Sequence, residues 1–140
     1  MLVRDLMSDD VVSVDHRATV DEAVGRMLAA DVGSVVVTEE GRPVGILTEQ
    51  DILRAVHEAD APLSTLAVAD LSHRPVMTTS PDSTVPWLAR RMAEEGVKKV
   101  PVMDGLELVG IVTLTDVVWH LAELRQEASN IDARRSDWES

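Results

Sequence analysis

Two threonine–aspartate pairs of identical spacing are the residues of this chain best placed to do chemistry. Thr48 and Asp51 follow Gly45-Ile46-Leu47, and Thr113 and Asp116 follow Gly110-Ile111-Val112, 65 residues later. In each case a short aliphatic run gives way to a helical pattern at the threonine. A helix start offers backbone N–H groups and the positive end of the helix dipole, which together make a phosphate site. The threonine hydroxyl adds a donor. The aspartate one turn on presents acceptor oxygens that can take hydrogen bonds from two neighbouring hydroxyls. A plainer use of the same residues is a capping box, in which threonine and aspartate satisfy each other's backbone N–H groups and only begin a helix. One geometry can serve both uses.

Other side chains bear on the same question. Lys98 and Lys99 are the only lysines, and they precede an apolar strand next to the second pair. Either can meet a phosphate as a mobile point charge; alternatively, they are a solvated pair at a strand edge, where lysine discourages aggregation. At the matching place before the first pair stand Gly33 and Ser34, with Arg17 the nearest base in sequence. The site around Thr113 and Asp116 is therefore expected to hold an anion more tightly than the site around Thr48, which Glu49 follows directly. His16, His57, His73 and His120 share no repeat position and no metal-ligand spacing, so no metal site is expected. No local motif suggests a nucleophile–base grouping, so no catalysis is expected. Trp87 and Trp119 fall off the apolar stripes of their helices, which points either to a partner surface or to the edge of a core.

The elements that position these residues come in two copies. The offset that relates the two Thr–Asp pairs also relates Val3 to Val68, Leu6 to Leu71, Thr19 to Thr84, Val20 to Val85, Met27 to Met92 and Val35 to Val100. One slip, around the turns at Gly41 and Gly105, is made up by Leu108. Such a repeat implies two copies of one supersecondary unit. In the first copy, Val11 to Val14 reads as a strand. Thr19 with Glu22 reads as a capping box, opening a helix with Val20, Ala23, Val24, Met27 and Leu28 on one stripe. Val35 to Val37 and Val44 to Leu47 read as a hairpin, followed by a helix with Ile52, Ala55 and Val56 on one face. The second copy repeats the order: a strand from Met77 to Thr79, a helix from Val85 to Glu95, a hairpin of Val100 to Met103 with Leu108 to Thr113, and a helix from Thr115 to about Gln126. Each unit is β-α-β-β-α. The boundaries are 1–60 for the first repeat, 61–67 for a linker, 68–126 for the second repeat and 127–140 for a polar tail, either an extended helix or frayed.

Composition narrows the function classes. With 25 acidic against 13 basic residues the formal charge is −12. Nucleic acid is an unsuitable partner, because phosphate backbones need a basic footprint. The acidity fits either a salt-loving source or ordinary solubility. There is no cysteine, so disulfides and thiolate metal sites are excluded. The core must be aliphatic, since the chain has no phenylalanine or tyrosine. The start, Met1-Leu2-Val3-Arg4-Asp5, does not read as a signal peptide, and no apolar run is long enough to span a membrane; a cytoplasmic protein is expected.

Two β-α-β-β-α repeats, each with Gly-apolar-apolar-Thr-x-x-Asp, resemble a tandem pair of CBS domains, the Bateman module. Val32-Gly33-Ser34-Val35-Val36-Val37 and Val97-Lys98-Lys99-Val100-Pro101-Val102 are similar to that family's central strands, and the resemblance spans about Val3 to Gln126. It implies an α/β fold of two pseudo-twofold-related repeats packed into one module. It also implies a regulatory role, with an adenine nucleotide, AMP first and then ADP or ATP, in the cleft between them. Thr48 and Thr113 would face phosphate, and Asp51 and Asp116 the ribose. The adenine would lie against Val12 and Ser13 with Ser34 to Val36, and against Met77 and Thr78 with Val100 and Pro101. A homodimer, and a regulated protein partner, are the assemblies the resemblance implies. The competing reading is a ligand-free dimerisation module.

Overall fold

The computed structural model describes residues 1–72 and 76–123; His73 and the expected tail from 127 lie outside them. A 3-10 turn, Val3–Asp5, precedes β1 (Ser13–Asp15), α1 (Val20–Ala30), β2 (Ser34–Glu39), β3 (Arg42–Thr48) and α2 (Glu49–Ala59), and a second, Leu63–Thr65, follows α2. The second half holds α3 (Val68–Leu71), α4 (Val85–Glu95), β4 (Lys99–Asp104) and β5 (Glu107–Thr113). A last helix, α5, occupies residues 114–123. No helix among the described residues is long and apolar enough to cross a membrane.

Helix starts follow the side chains that satisfy their unpaired N–H groups. Thr19 accepts from the Glu22 N–H at 3.2 Å and Thr84 from the Trp87 N–H at 3.3 Å. Pro86 is accommodated in the first turn of α4, where its missing N–H costs nothing. Gly96 ends α4 in the left-handed conformation that favours glycine.

The two halves differ in their sheets. In the first, β1 runs parallel to β2, and β2 antiparallel to β3. Among the described residues the second sheet has β4 and β5 alone, and the strand expected over Met77 to Thr79 shrinks to one parallel bridge, Thr79 to Val102. Two prolines account for the loss. In the first half Val36 N–H donates to the Val12 carbonyl at 3.0 Å and His16 N–H to the Thr38 carbonyl at 2.8 Å. The residues at those donor positions in the second half are Pro101 and Pro81, which have no N–H to give. Only the rungs through Thr79 remain, to Pro101 at 3.1 Å and from Met103 at 2.8 Å.

The apparent slip at the hairpins is a difference of turn type rather than of length. Glu39 pairs Arg42 around Glu40-Gly41, both with positive φ (53° and 79°), the type I′ pattern. Asp104 pairs Glu107 around Gly105-Leu106, where only Gly105 is positive (62°), the type II′ pattern. Each turn needs its glycine at a different one of the two loop positions, so the offset is continuous and Leu108 compensates for nothing.

The packing units are not the sequence repeats. Val3 is buried with Val85, Leu88, Met92, Val100, Val102, Val112 and Val117 of the second half. Val68 is buried with Val14, Val20, Ala23, Met27, Val35, Val37 and Leu47 of the first. Each repeat thus lends its opening segment to the other's core. The exchange is pinned by backbone bonds in both directions, including Val3 N–H to Ser83, Val85 N–H to Met1, Val20 N–H to Leu66 and Val68 N–H to Ala18. Both cores are aliphatic with methionine filling gaps. The expected stripes are narrower than drawn. On α2, Asp51, Ile52 and Ala55 turn inward while Val56, at 100° per residue, has rotated to 47% exposure. On α1, Leu28 is likewise exposed.

Gly110 is where the exchanged segment passes most closely. A Cβ there would stand 2.7 Å from Met7 Sδ and 3.0 Å from the Ser8 carbonyl oxygen, while Ser8 and Ile111 exchange two backbone hydrogen bonds of 2.9 Å. Gly110→Ala is expected to destabilise the protein by about 1–3 kcal/mol through overpacking against backbone. Gly25, mid-helix in α1 with nothing within 4 Å of its Cβ position, gives the opposite sign: Gly25→Ala should stabilise by about 0.5–1 kcal/mol. Urea unfolding midpoints of the two variants against the parent check both signs.

Candidate functional site

Each Thr–Asp pair closes a strand and opens a helix. Thr48 N–H and Oγ1 both donate to Asp51 Oδ2 at 2.9 Å, and Asp51 N–H donates to Thr48 Oγ1 at 3.3 Å. At the second junction Thr113 N–H donates to Asp116 Oδ2 at 3.1 Å and Asp116 N–H to Thr113 Oγ1 at 3.2 Å. Both are reciprocal caps. The first helical N–H is taken as well: Glu49 donates to the Gly33 carbonyl at 3.1 Å and Leu114 to the Lys98 carbonyl at 2.7 Å. The helix starts are therefore less open than expected, with two of their first three N–H groups already satisfied.

Two cavities lie between the halves, and each is walled by both. One, of about 450 Å³, is lined by Ile46 and Thr48 of the first half and by Val76, Met77, Gly96, Val97, Lys98 and Lys99 of the second. The other, of about 320 Å³, is lined by Ile111, Thr113 and Asp116 together with Ser8, Asp10, Val12, Val32, Gly33, Ser34 and Lys99. Ile46 and Ile111, Thr48 and Thr113, and Ser34 and Lys99 occupy equivalent repeat positions. The cavities are thus related by the pseudo-twofold axis, and both are of a size that suits a small-molecule site.

The expected site residues divide. Thr48, Thr113, Asp116, Ser34, Lys98 and Lys99, with Val12 and Met77, line the cavities. Asp51 is 7% exposed beneath the Thr48 cap and is not in the wall. Ser13 uses its carbonyl to accept from Arg26 at 2.8 Å. Thr78 is exposed, Val100 is part of the second core, and Pro101 is buried with its carbonyl bound to Thr79 N–H.

Only one of the two lysines stands where sequence order suggested. Lys98 lines the Thr48 cavity rather than the Thr113 cavity, and Lys99 lines both. Lys99 Nζ donates to Ser34 Oγ at 2.7 Å. Burial holds its ammonium below the ordinary lysine range, and the nearby Glu49 carboxylate opposes that fall. Arg17 serves neither cavity: its guanidinium is exposed and pairs with Asp15 at 3.0 Å. Arg17 also holds the Asp15 carboxyl below its usual range through backbone and side-chain hydrogen bonds.

Sequence reading passed over Ser8, Asp10, Val32, Val76, Gly96 and Val97, along with Ile46 and Ile111. The two isoleucines carried a signal, the shared residue between Gly and Thr in both motifs. Asp10 carried none, because it reaches the Thr113 cavity only through the exchange of opening segments. Among the described residues no group of three or more His, Asp or Glu could hold a metal. Trp87 and Trp119 are 48% and 66% exposed, and Trp119 joins Leu114, Val118 and Ala122 along a shallow groove on α5.

Comparison with known proteins agrees with this architecture. The sequence profile of the CBS domain matches residues 3–58 and 68–123. Protein MJ1225 of Methanocaldococcus jannaschii is 31% identical over 117 residues, which are 83% of this chain; the chain spans 41% of that relative's length. The crystal structure of the CBS-domain protein ATU1752 from Agrobacterium tumefaciens superposes with a TM-score of 0.73 at 32% identity, covering 86% of this chain and 98% of that one. The CBS domain pair of protein MJ0100, crystallised with 5-methylthioadenosine and S-adenosyl-L-methionine, gives a TM-score of 0.76 at 26% identity, covering 88% and 97%.

Lys99 yields a test of its own. Because its folded pKa lies below the ordinary 10.5, the unfolded chain holds the proton more tightly, and burial of the charge destabilises the fold at neutral pH. That cost is relieved as pH rises through the folded pKa toward 10.5. Lys99→Met is therefore expected to unfold at no lower temperature than the parent at pH 7 without ligand. Any advantage of the variant should shrink as the pH is raised. A lower midpoint at neutral pH would mean that the bond to Ser34 outweighs burial.

Proposed function

This chain belongs to the CBS-domain family, and from that premise we propose that it is a regulatory module binding adenine nucleotides, AMP first and then ADP or ATP, between its halves. The observation that carries the reading is the pair of pseudo-symmetric cavities, each with a Thr-capped helix start on one side and an apolar wall on the other. Val76, Met77 and Val97 offer the Thr48 cavity an apolar surface for a base, and Lys98 and Lys99 offer cations for a phosphate. Asp116 and Thr113 offer the other cavity an acceptor and a hydroxyl for a ribose. The adenosine compounds bound by MJ0100 support the same class of ligand. No reaction is proposed. The output is a change of conformation or assembly felt by a protein partner, since a ligand shifts only states that it binds unequally.

Assembly as a homodimer belongs to the same proposal. Leu53 and Val56 on α2, and Val118 and Leu121 at the equivalent positions on α5, are exposed, as is Trp119. Apolar faces of this kind suit a self-complementary twofold contact. One observation favours the ligand-free alternative, a dimerisation module alone: both Thr–Asp pairs are already complete as caps.

Calorimetric titration with AMP, ADP, ATP and adenosine, with a parallel incubation for turnover, separates these readings. Binding without turnover is expected, and heats indistinguishable from dilution for every ligand would leave the dimerisation module. Asp116→Asn keeps the shape of the side chain and removes its charge. With adenosine as the ligand, it should weaken one of the two binding steps by about ten- to a hundredfold, the loss of about 1.5–3 kcal/mol from a charged acceptor.

Light scattering at micromolar concentration should give the mass of a dimer at both low and high salt. Trp119→Ala should shift that equilibrium toward monomer.

A further inference from the structure

We propose that Lys99 is a single cation shared by the two cavities, so that an anionic ligand in one withdraws it from the other. The inference rests on the adenine-nucleotide reading and adds to it a rule for which ligands the two sites hold together. Three observations support it. Lys99 is in both walls. Its partner Ser34 is its own repeat equivalent, 65 residues earlier, so their 2.7 Å hydrogen bond lies across the pseudo-twofold axis. An ammonium on a flexible four-carbon stem can turn to either side of that axis, but it carries one charge.

The rest of the lining makes the two sides unequal. Among the described residues, the Thr48 cavity has Lys98 as a second cation and no carboxylate in its wall. Among the same described residues the Thr113 cavity has Asp10 and Asp116, and Lys99 is its one basic residue. A phosphate therefore enters the Thr48 cavity first and draws Lys99 toward it. The Thr113 cavity is then left with carboxylates and hydroxyls, which repel a second phosphate and accept an uncharged or cationic adenosine compound. This reverses the ranking expected from sequence order, and it predicts mixed occupancy of one anionic and one non-anionic ligand. In a chain of charge −12 the first phosphate is already repelled at long range, which makes a local cation count for more.

Calorimetry with AMP and with adenosine on the parent and on Lys99→Met tests the sharing. In the parent, AMP should bind in two unequal steps, and the steps for adenosine should lie closer together. Lys99→Met should weaken the tighter AMP step about tenfold, as loss of a charged hydrogen bond does. The weaker AMP step and both adenosine steps should be unchanged. Equal weakening of both AMP steps would mean that each cavity uses the lysine independently, and no weakening would mean that neither does; either result overturns the proposal. If the parent binds neither adenosine nor AMP, the reading on which the proposal rests fails, and the proposal with it.

A second measurement needs no Lys99 variant. Lys98 and Lys99 are the only lysines, so reductive ¹³C-dimethylation, which keeps their charge, labels these two side chains and the amino terminus. Assigned with Lys98→Arg, the Lys99 signal should move as the first equivalent of AMP binds and stay still during the second. Movement in both steps would contradict sharing.

Discussion

Backbone meeting backbone at Gly110 is the contact on which the other features depend. The chain from Met7 to Ser8 lies on the second half where any side chain at 110 would stand. That approach goes with the entry of Val3 into the second core; Val68 enters the first in its turn. Halves interlocked in this way cannot present separate sites. Every wall that one half builds is completed by the other, and Ser8, from the crossing segment, lines the Thr113 cavity itself. Gly110 thus has a steric task that is separate from the chemistry of Thr113.

Symmetry then gives the module its form, and departures from symmetry give it discrimination. Equivalent junctions carry equivalent caps, with bonds of 2.9–3.3 Å at both. The departures are few. Pro81 and Pro101 strip the third strand from one sheet, which leaves Met77 outside any strand in the wall of the Thr48 cavity. Lysine replaces serine at the position nearest the axis. A residue on a pseudo-twofold axis faces its own counterpart. A neutral and a charged side chain there make one hydrogen bond, where two lysines would repel.

Much of this was legible in the sequence. The repeat, the helix starts at Thr19, Thr48 and Thr84 and the hairpins could be read because each is fixed by local chemistry: a hydroxyl that caps, a glycine that turns, a β-branched run. The failures share a different cause. The reduced strand over Met77 to Thr79 depended on donors belonging to residues far along the chain, Pro101 above all. The hairpin offset looked broken because the glycines were aligned rather than the turns. Lys98 and Lys99 adjoin Thr113 along the chain, yet the packing of one half against the other brings both to the Thr48 cavity and leaves only Lys99 in the Thr113 cavity as well. Val56 and Leu28 lie at the margins of their stripes, where periodicity alone does not tell the core face from an exposed one.

The most direct measurement is a crystal structure of the protein grown with AMP. The account predicts the nucleotide between the halves in the Thr48 cavity, its base against Met77 and Val97 and its phosphate within hydrogen-bonding distance of Lys98 or Lys99. AMP bound on an outer helix face, or both cavities empty at saturating AMP, would contradict it.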